Sequence, residues 1–371
     1  MELNGHLIPD RVSPTLVEDE LVLSLIATGL VQLSEQLDRG KPFAYPYPPA
    51  LQRGLDRLTV LKIRRGQPEP QSVPDLIRWC QFPIQEWQLN LPADSLGEHD
   101  TLLDGNRLTN VCESWACANA DVEAELAERQ FMKSVFDTCH TLNIPEAYTS
   151  FRRLLIERPV LTALEFQIVL AEPEFSPLVD QLHAAYLPAP ANCLLQGFFY
   201  PCSNCGNLLI RTEKNELVCE NERCQAHEVS SRDPVPEREQ PVWLKRSLRR
   251  FVAAPGLSEL RLAASIEERG LPVELWPMYD QYDLRVTFPD QIIWAIDVKD
   301  WANPFLLARS VQPIPPRPEW SRAFFVFPDE RHRQRRDYLR AFQSNCSLLN
   351  NRVSALFEWQ LLREIDQKLE G

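Results

Sequence analysis

Glycine is scarce in this chain, 12 among 371 residues against 31 prolines. That ratio excludes long Gly-rich linkers and predicts stiff connections with sharp element boundaries. No internal repeat and no heptad array is present, which excludes a solenoid and a long coiled coil. Long hydrophobic runs are missing too. The most apolar early run, residues 21–33, falls short of the roughly 20 residues that span a bilayer. It follows the acidic Glu18-Asp19-Glu20 and reads as a buried helix. The opening MELNGHLIPD lacks a basic stretch leading into an apolar core, so no secretory signal, no membrane partner and a cytoplasmic location are expected. Positive charge is also in deficit, 39 Lys+Arg against 52 Asp+Glu for a net −13, which argues against nonspecific coating of a polyanion. The deficit is uneven: residues 231–371 hold 21 basic and 20 acidic side chains, and the remainder holds 18 and 32. A local basic groove in the C-terminal part is compatible with that balance.

A hydrophobic content of 44% and a charged content of 25% fit globular protein, and the length suits two or three domains. Residues 1–190 read as mainly helical, with Val22, Ile26, Leu30, Leu33 and Leu37 in a stripe stepping by three or four. Helical patterns continue at 118–142, 152–157 and 161–170, broken by proline-rich segments at 45–49, 67–74 and 187–192. Residues 191–230 form a cysteine segment, and 231–255 a polar, Pro-rich linker with a basic lead-in. Residues 256–371 alternate. A helix at 257–269 precedes strands at 273–276, 283–288 and 292–298; a helix near 304–309, a strand at 323–327, a basic helix at 331–342, a strand at 353–357 and a closing helix at 358–369 follow. The fold class is a multidomain α plus α/β protein, with a C-terminal αβββαβ core.

Ten cysteines in a chain without a predicted signal point to a reducing compartment, where clustered cysteines serve metals more often than disulfides. The segment PCSNCGNLLIRTEKNELVCENERC pairs Cys202 with Cys205 as C-x2-C and Cys219 with Cys224 as C-x4-C. Gly206 lets the backbone fold tightly behind the first pair. The runs between the pairs predict a hairpin turning at 213–215, the framework of a zinc ribbon. The looser second pair leaves His227 as an alternative fourth ligand. A closed four-ligand site has no open position, so Zn²⁺ here is structural; a staple between domains and a contact for nucleic acid or a partner both remain open. Cys80, Cys112, Cys117, Cys139, Cys193 and Cys346 lack paired spacing and read as buried apolar residues.

The chemistry is expected in QYDLRVTFPDQIIWAIDVKD at 281–300. Strand side chains repeat every two residues, so Ile293, Ala295, Asp297 and Lys299 share one face and Ile292, Trp294, Ile296 and Val298 the other. Asp283 lies on the neighbouring strand. Two carboxylates, the Val298 carbonyl and a lysine suit a hard divalent ion, Mg²⁺ or Mn²⁺, engaged in phosphodiester hydrolysis. Glu259, on the preceding helix, is a candidate further ligand or holder of metal-bound water. Its competing reading is an acid favoured by the start of a helix. Lys245, Arg246, Arg249 and Arg250, with Arg331, Arg333, Arg335 and Arg336, are candidate phosphate contacts. Asp329, Glu330 and Asp337 make a solvated, charge-balanced face the plain alternative for the later group.

Glu259, Asp283 and Asp297-Val298-Lys299, in α-β-β-β-α-β order, resemble the PD-(D/E)XK, or restriction-endonuclease-like, superfamily. The resemblance covers about 115 residues to the C-terminus. It implies that Asp283 and Asp297 bind Mg²⁺, that Lys299 orients or activates the attacking water, that Glu259 fills the helix-glutamate role, and that cleavage leaves 5′-phosphate and 3′-hydroxyl ends. Tyr282 stands where the superfamily's name has proline. The combination of helical front, cysteine ribbon and compact nuclease is similar to nucleases encoded beside PIWI-like (PIWI-RE) proteins and helicases in bacterial defence islands. That likeness implies foreign DNA as target, with those proteins as partners. Cutting both strands needs two active sites, so a homodimer is expected. A non-catalytic nucleic-acid or partner-binding adaptor and an RNA nuclease are the alternatives.

Overall fold

Apolar residues at the helical period build the first unit of the chain, and alternating ones build the sheet of the second. The computed structural model describes residues 14–38, 42–92, 95–118, 123–212, 216–221, 224 and 231–370. It divides into two units, Met1–Val122 with Ala302–Leu307, and Glu123–Trp301 with Ala308–Gly371. Among the described residues, no helix is long and apolar enough to cross a membrane.

In the first unit, helices Pro14–Asp38, Pro49–Arg64, Val73–Trp79 and Asn110–Ala118 surround an apolar core. Val22, Ile26, Leu30 and Leu33 of the predicted stripe are buried with Leu51 and Leu58 of the second helix, whereas Leu37 is exposed. The buried carboxylate of Asp19 receives both terminal nitrogens of Arg65 at 2.8 Å. The helices expected as one region at 1–190 are thus shared between two units, because those from Glu123 onward pack with the remainder of the chain.

In the second unit, helices Glu123–Leu142, Pro145–Glu157, Ala163–Ala171 and Val179–Ala185 precede a small antiparallel sheet. Strand Val242–Leu244 lies at its centre, between Val160–Leu161 and Tyr186–Pro188. The expected linker at 231–255 is therefore structured. The apolar triplet Val242-Trp243-Leu244 follows the prolines, and Trp243 and Leu244 are buried. Upstream, Val235–Pro236 pairs with Phe198–Phe199.

The main sheet has five strands in chain order, Val273–Leu275, Leu284–Thr287, Ile293–Val298, Arg322–Phe327 and Val353–Phe357. The first three run antiparallel and the last three parallel. Helices Pro304–Ser310, Asp329–Gln334 and Tyr338–Asn345 make the crossovers that parallel neighbours require. On one face Trp294, Ile296, Val298, Phe324 and Val326 pack with Leu262 and Ile266 of helix Ala254–Glu267 and with Leu361 and Ile365 of helix Glu358–Glu370. The helix expected at 331–342 is broken, since Arg335 adopts an extended backbone (φ −142°, ψ 103°) and its guanidinium turns to Asp337 at 3.0 Å.

The helix carrying Glu259 begins earlier than 257. A short helical stretch, Arg246–Leu248, runs through a π-helical turn at Arg249–Ala253 into Ala254–Glu267. The wide turn precedes Pro255, which cannot donate the α-helical hydrogen bond. One residue on, Gly256 meets helix Pro145–Glu157 so closely that an added Cβ would stand 2.4 Å from Ile156 Cδ1. Ile156 is fully buried and has little room to yield. We therefore expect Gly256→Val to destabilise the fold by about 1–3 kcal/mol through overpacking. Thermal unfolding followed by circular dichroism measures it, and an unchanged midpoint would contradict the close approach.

Candidate functional site

Pairing register assembles the acidic edge. Leu284 pairs with Ile296, and one further step along the same antiparallel register sets Asp283 opposite Asp297. Directly opposed residues share a face, and the strand period adds Lys299. Asp283 is buried, and its Oδ2 accepts the Val298 backbone N–H at 2.6 Å. The Lys299 ammonium donates to Asp297 Oδ1 at 2.7 Å. At the position of the superfamily's proline, Tyr282 is buried and donates its hydroxyl to the Pro318 carbonyl at 3.2 Å.

Glu259 is only 2% exposed and lies beyond the first turn of its helix, so the helix dipole does not account for it. Its two carboxylate oxygens accept from Arg152 Nη2 at 3.1 and 3.0 Å, and Oε2 also accepts from Trp276 Nε1 at 2.5 Å. The expected metal ligand is thus a carboxylate already engaged on both oxygens. Arg152 also pairs with Asp280 through Nη1 and stands 3.6 Å from Asp283 Oδ1. Its guanidinium carbon lies 4.9 Å from the Trp276 ring centroid.

The loop before Asp283 aims two of these partners. Trp276, Met278, Tyr279 and Asp280 all have left-handed backbone, with φ of 48°, 49°, 62° and 72°. Such conformations are unfavourable for side-chain-bearing residues and persist only where the surroundings hold them. Here Trp276 N–H donates to the Asp283 carbonyl at 2.8 Å and Asp280 N–H to the Trp276 carbonyl at 3.0 Å.

Burial sets the electrostatics. It pushes the Asp283 carboxyl well above its usual range, and Glu259 and Asp297 push it further. Burial also raises Glu259, against the pull of Arg152. For Lys299 burial opposes the charge, but Asp297 and Asp283 prevail and raise its pKa. The structure thus brings Glu259, Asp283, Asp297 and Lys299 together and adds Arg152 and Asp280, which sequence reasoning missed. An available signal was an arginine on the apolar face formed by Tyr148, Phe151 and Leu155. The oxygen donors of Asp283, Asp297 and the Val298 carbonyl suit a hard divalent cation.

The cysteine centre is more sharply defined. Among the described residues, Cys202, Cys205, Cys219 and Cys224 form the group whose ligand atoms all lie within 4.8 Å of one another, and all four are buried. The Cys205 and Cys219 sulfurs are 3.5 Å apart, near the roughly 3.8 Å that tetrahedral Zn–S bonds of 2.3 Å impose. Gly206 adopts φ +74° and donates to the Cys202 carbonyl at 2.9 Å, forming the predicted tight bend. Strands Ile210–Arg211 and Leu217–Val218 form the hairpin. Cys224 supplies the fourth thiol; His227 and the turn at 213–215 lie outside the described residues.

Comparison with known families gives two matches, neither of which includes the cysteine segment. Residues 256–371 match the family model described as REase associating with pPIWI_RE. That match marks the C-terminal domain as restriction-endonuclease-like. Residues 22–162 match the model described as pPIWI_RE three-gene island domain Y. Both matches support an association with pPIWI_RE islands. No protein of curated function matches the chain. Glu259, Asp283, Asp297 and Lys299 fall in the endonuclease-like match, and Arg152 falls in the other.

The basic candidates around the endonuclease-like domain divide by burial. Arg249 is buried against the Trp243 ring, 3.4 Å from its centroid, and donates to Glu220, which follows Cys219. Burial works against the Glu220 charge, yet Arg249, Arg246 and Arg250 hold its pKa below the usual range. Arg331 is buried on Asp300 at 2.8 Å, and Arg335 is turned to Asp337. The expectation that Arg249 and Arg331 contact phosphate therefore meets two buried structural ion pairs. Lys245, Arg246 and Arg250 are half-buried, and Arg333 and Arg336 are exposed. Metal analysis of the purified chain is expected to give one zinc per molecule. Cys219→Ser should lose that zinc and lower the unfolding midpoint, and a wild type free of zinc after purification without chelators would contradict the assignment.

Proposed function

We propose that this chain is a PD-(D/E)XK-type endonuclease that hydrolyses DNA with Mg²⁺ or Mn²⁺, in prokaryotic defence against foreign DNA. The observation that carries the reading is Asp283 opposite Asp297, with Lys299 on the same face, within an endonuclease-like domain. Asp283, Asp297 and the Val298 carbonyl would hold the ion, which when bound polarises the phosphate and acidifies a water. Lys299, kept protonated by its carboxylate neighbours, donates hydrogen bonds to the phosphate or the attacking water. Water then adds to phosphorus and the 3′ oxygen leaves, giving 5′-phosphate and 3′-hydroxyl ends.

Lys245, Arg246, Arg250, Arg333 and Arg336 are the proposed backbone contacts, where guanidinium and ammonium groups meet phosphate. The zinc centre keeps the cysteine segment folded, and Glu220 and Arg249 tie that segment to strand Val242–Leu244. PIWI-like and helicase proteins are the proposed partners, with a cytoplasmic location and a homodimer for double-strand cutting. Lys299→Ala and Asp297→Asn should each lower Mg²⁺-dependent cleavage of plasmid, linear or single-stranded DNA by about 100-fold or more. Cleavage untouched by both substitutions would overturn the reading. A wild type inert even with partner proteins would favour a non-catalytic adaptor, and preferential cutting of RNA would reassign the substrate.

A further inference from the structure

Arg152 lies outside the endonuclease-like match, yet it is the cation around which that domain's buried acids are arranged. Four carboxylates meet here, Glu259, Asp280, Asp283 and Asp297, and two cations, Arg152 and Lys299. The shortfall is two positive charges, which one divalent ion supplies. The hydrogen bonds determine which carboxylates remain for it. Glu259 gives both oxygens to Arg152 and one also to Trp276. Asp280 Oδ2 accepts from Arg152 and from the Tyr148 hydroxyl. Asp283 Oδ1, by contrast, is 3.6 Å from the guanidinium, beyond good hydrogen-bond distance. Asp297 is bound by Lys299 through Oδ1.

We propose that Arg152 is a positioning residue that withdraws Glu259 from metal ligation, so that the site takes a single divalent ion on Asp283 and Asp297. The inference rests on the nuclease reading and deepens it. The helix glutamate becomes the anchor of an arginine, and that arginine makes the helical segment part of the site. Gly256 permits it: Arg152 and Ile156 are four apart on one helix, Gly256 and Glu259 three apart on the other, so each pair shares a face and the close approach seats the guanidinium on the carboxylate.

The test is Mn²⁺ titration of the full zinc-loaded chain by calorimetry, with an unfolding curve for every variant. The wild type should bind one ion, and Asp297→Asn should weaken binding by about tenfold or more. The double variant Arg152→Gln/Glu259→Gln removes one charge of each sign and should keep one ion at an affinity within about threefold of the wild type. Arg152→Gln alone leaves Glu259 charged and available and should bind Mn²⁺ more tightly or in greater number. If the glutamine pair fails to fold, Arg152→Met/Glu259→Leu carries the same test, because apolar replacements of similar volume often preserve a buried ion-pair site. Loss of Mn²⁺ by the double variant, to the extent seen in Asp297→Asn, would make Glu259 a ligand and overturn the inference alone. Wild-type binding by Arg152→Gln would overturn it as well. A wild type that binds no Mn²⁺, or an Asp297→Asn variant that binds it normally, would overturn the nuclease reading together with the inference.

Discussion

Gathering carboxylates at the end of two strands is unfavourable unless cations are gathered with them, because burial penalises each unpaired charge heavily. The second unit is organised around that constraint. Arg152 enters from one helix, Glu259 faces it from another, and a left-handed turn delivers Asp280 and Trp276. Trp276 satisfies Glu259 with its indole N–H while its ring lies against the guanidinium. Asp283 receives the Val298 N–H, which fixes one oxygen and leaves the other facing the site. Lys299 then balances Asp297 at the rim. Gly256 and the left-handed residues Trp276, Met278, Tyr279 and Asp280 lie next to this network.

A different device holds the cysteine segment. Its strands are two residues long, too short to bury a core of their own. The converging thiols are placed to hold a metal in place of that core, the usual recourse of small modules. Arg249 extends the anchorage. It sits between Glu220 and the face of Trp243, so the cysteine segment and strand Val242–Leu244 share one ion pair. Arg249, placed in the sequence like a phosphate contact, is instead the main partner of a half-buried carboxylate.

Much of this was legible in the residues. A period of two in 292–299 separated the apolar face from Asp297 and Lys299, and the short turn after Phe288 fixed the register that brings Asp283 opposite. The cysteine spacing announced its centre, because ligand geometry is local. What escaped sequence reasoning depends on contacts between distant segments. Arg152 and Glu259 are 107 positions apart, and nothing in FRRLLIE distinguishes Arg152 from its exposed neighbour Arg153 except the helical phase. Asp280 depends on a turn whose left-handed backbone has no glycine to signal it. The break at Arg335 and the ordering of 231–255 were hidden for a related reason. An ion pair to Asp337 and the burial of Val242-Trp243-Leu244 outweighed the local pattern.

The central claim, that the acidic edge is built on the Arg152–Glu259 pair, is tested most directly by a double-mutant cycle on stability. Denaturant unfolding of the wild type, Arg152→Gln, Glu259→Gln and the double variant yields the coupling free energy. A coupling of about 1–3 kcal/mol is predicted for groups in one buried network, and a value below about 0.5 kcal/mol would contradict the account.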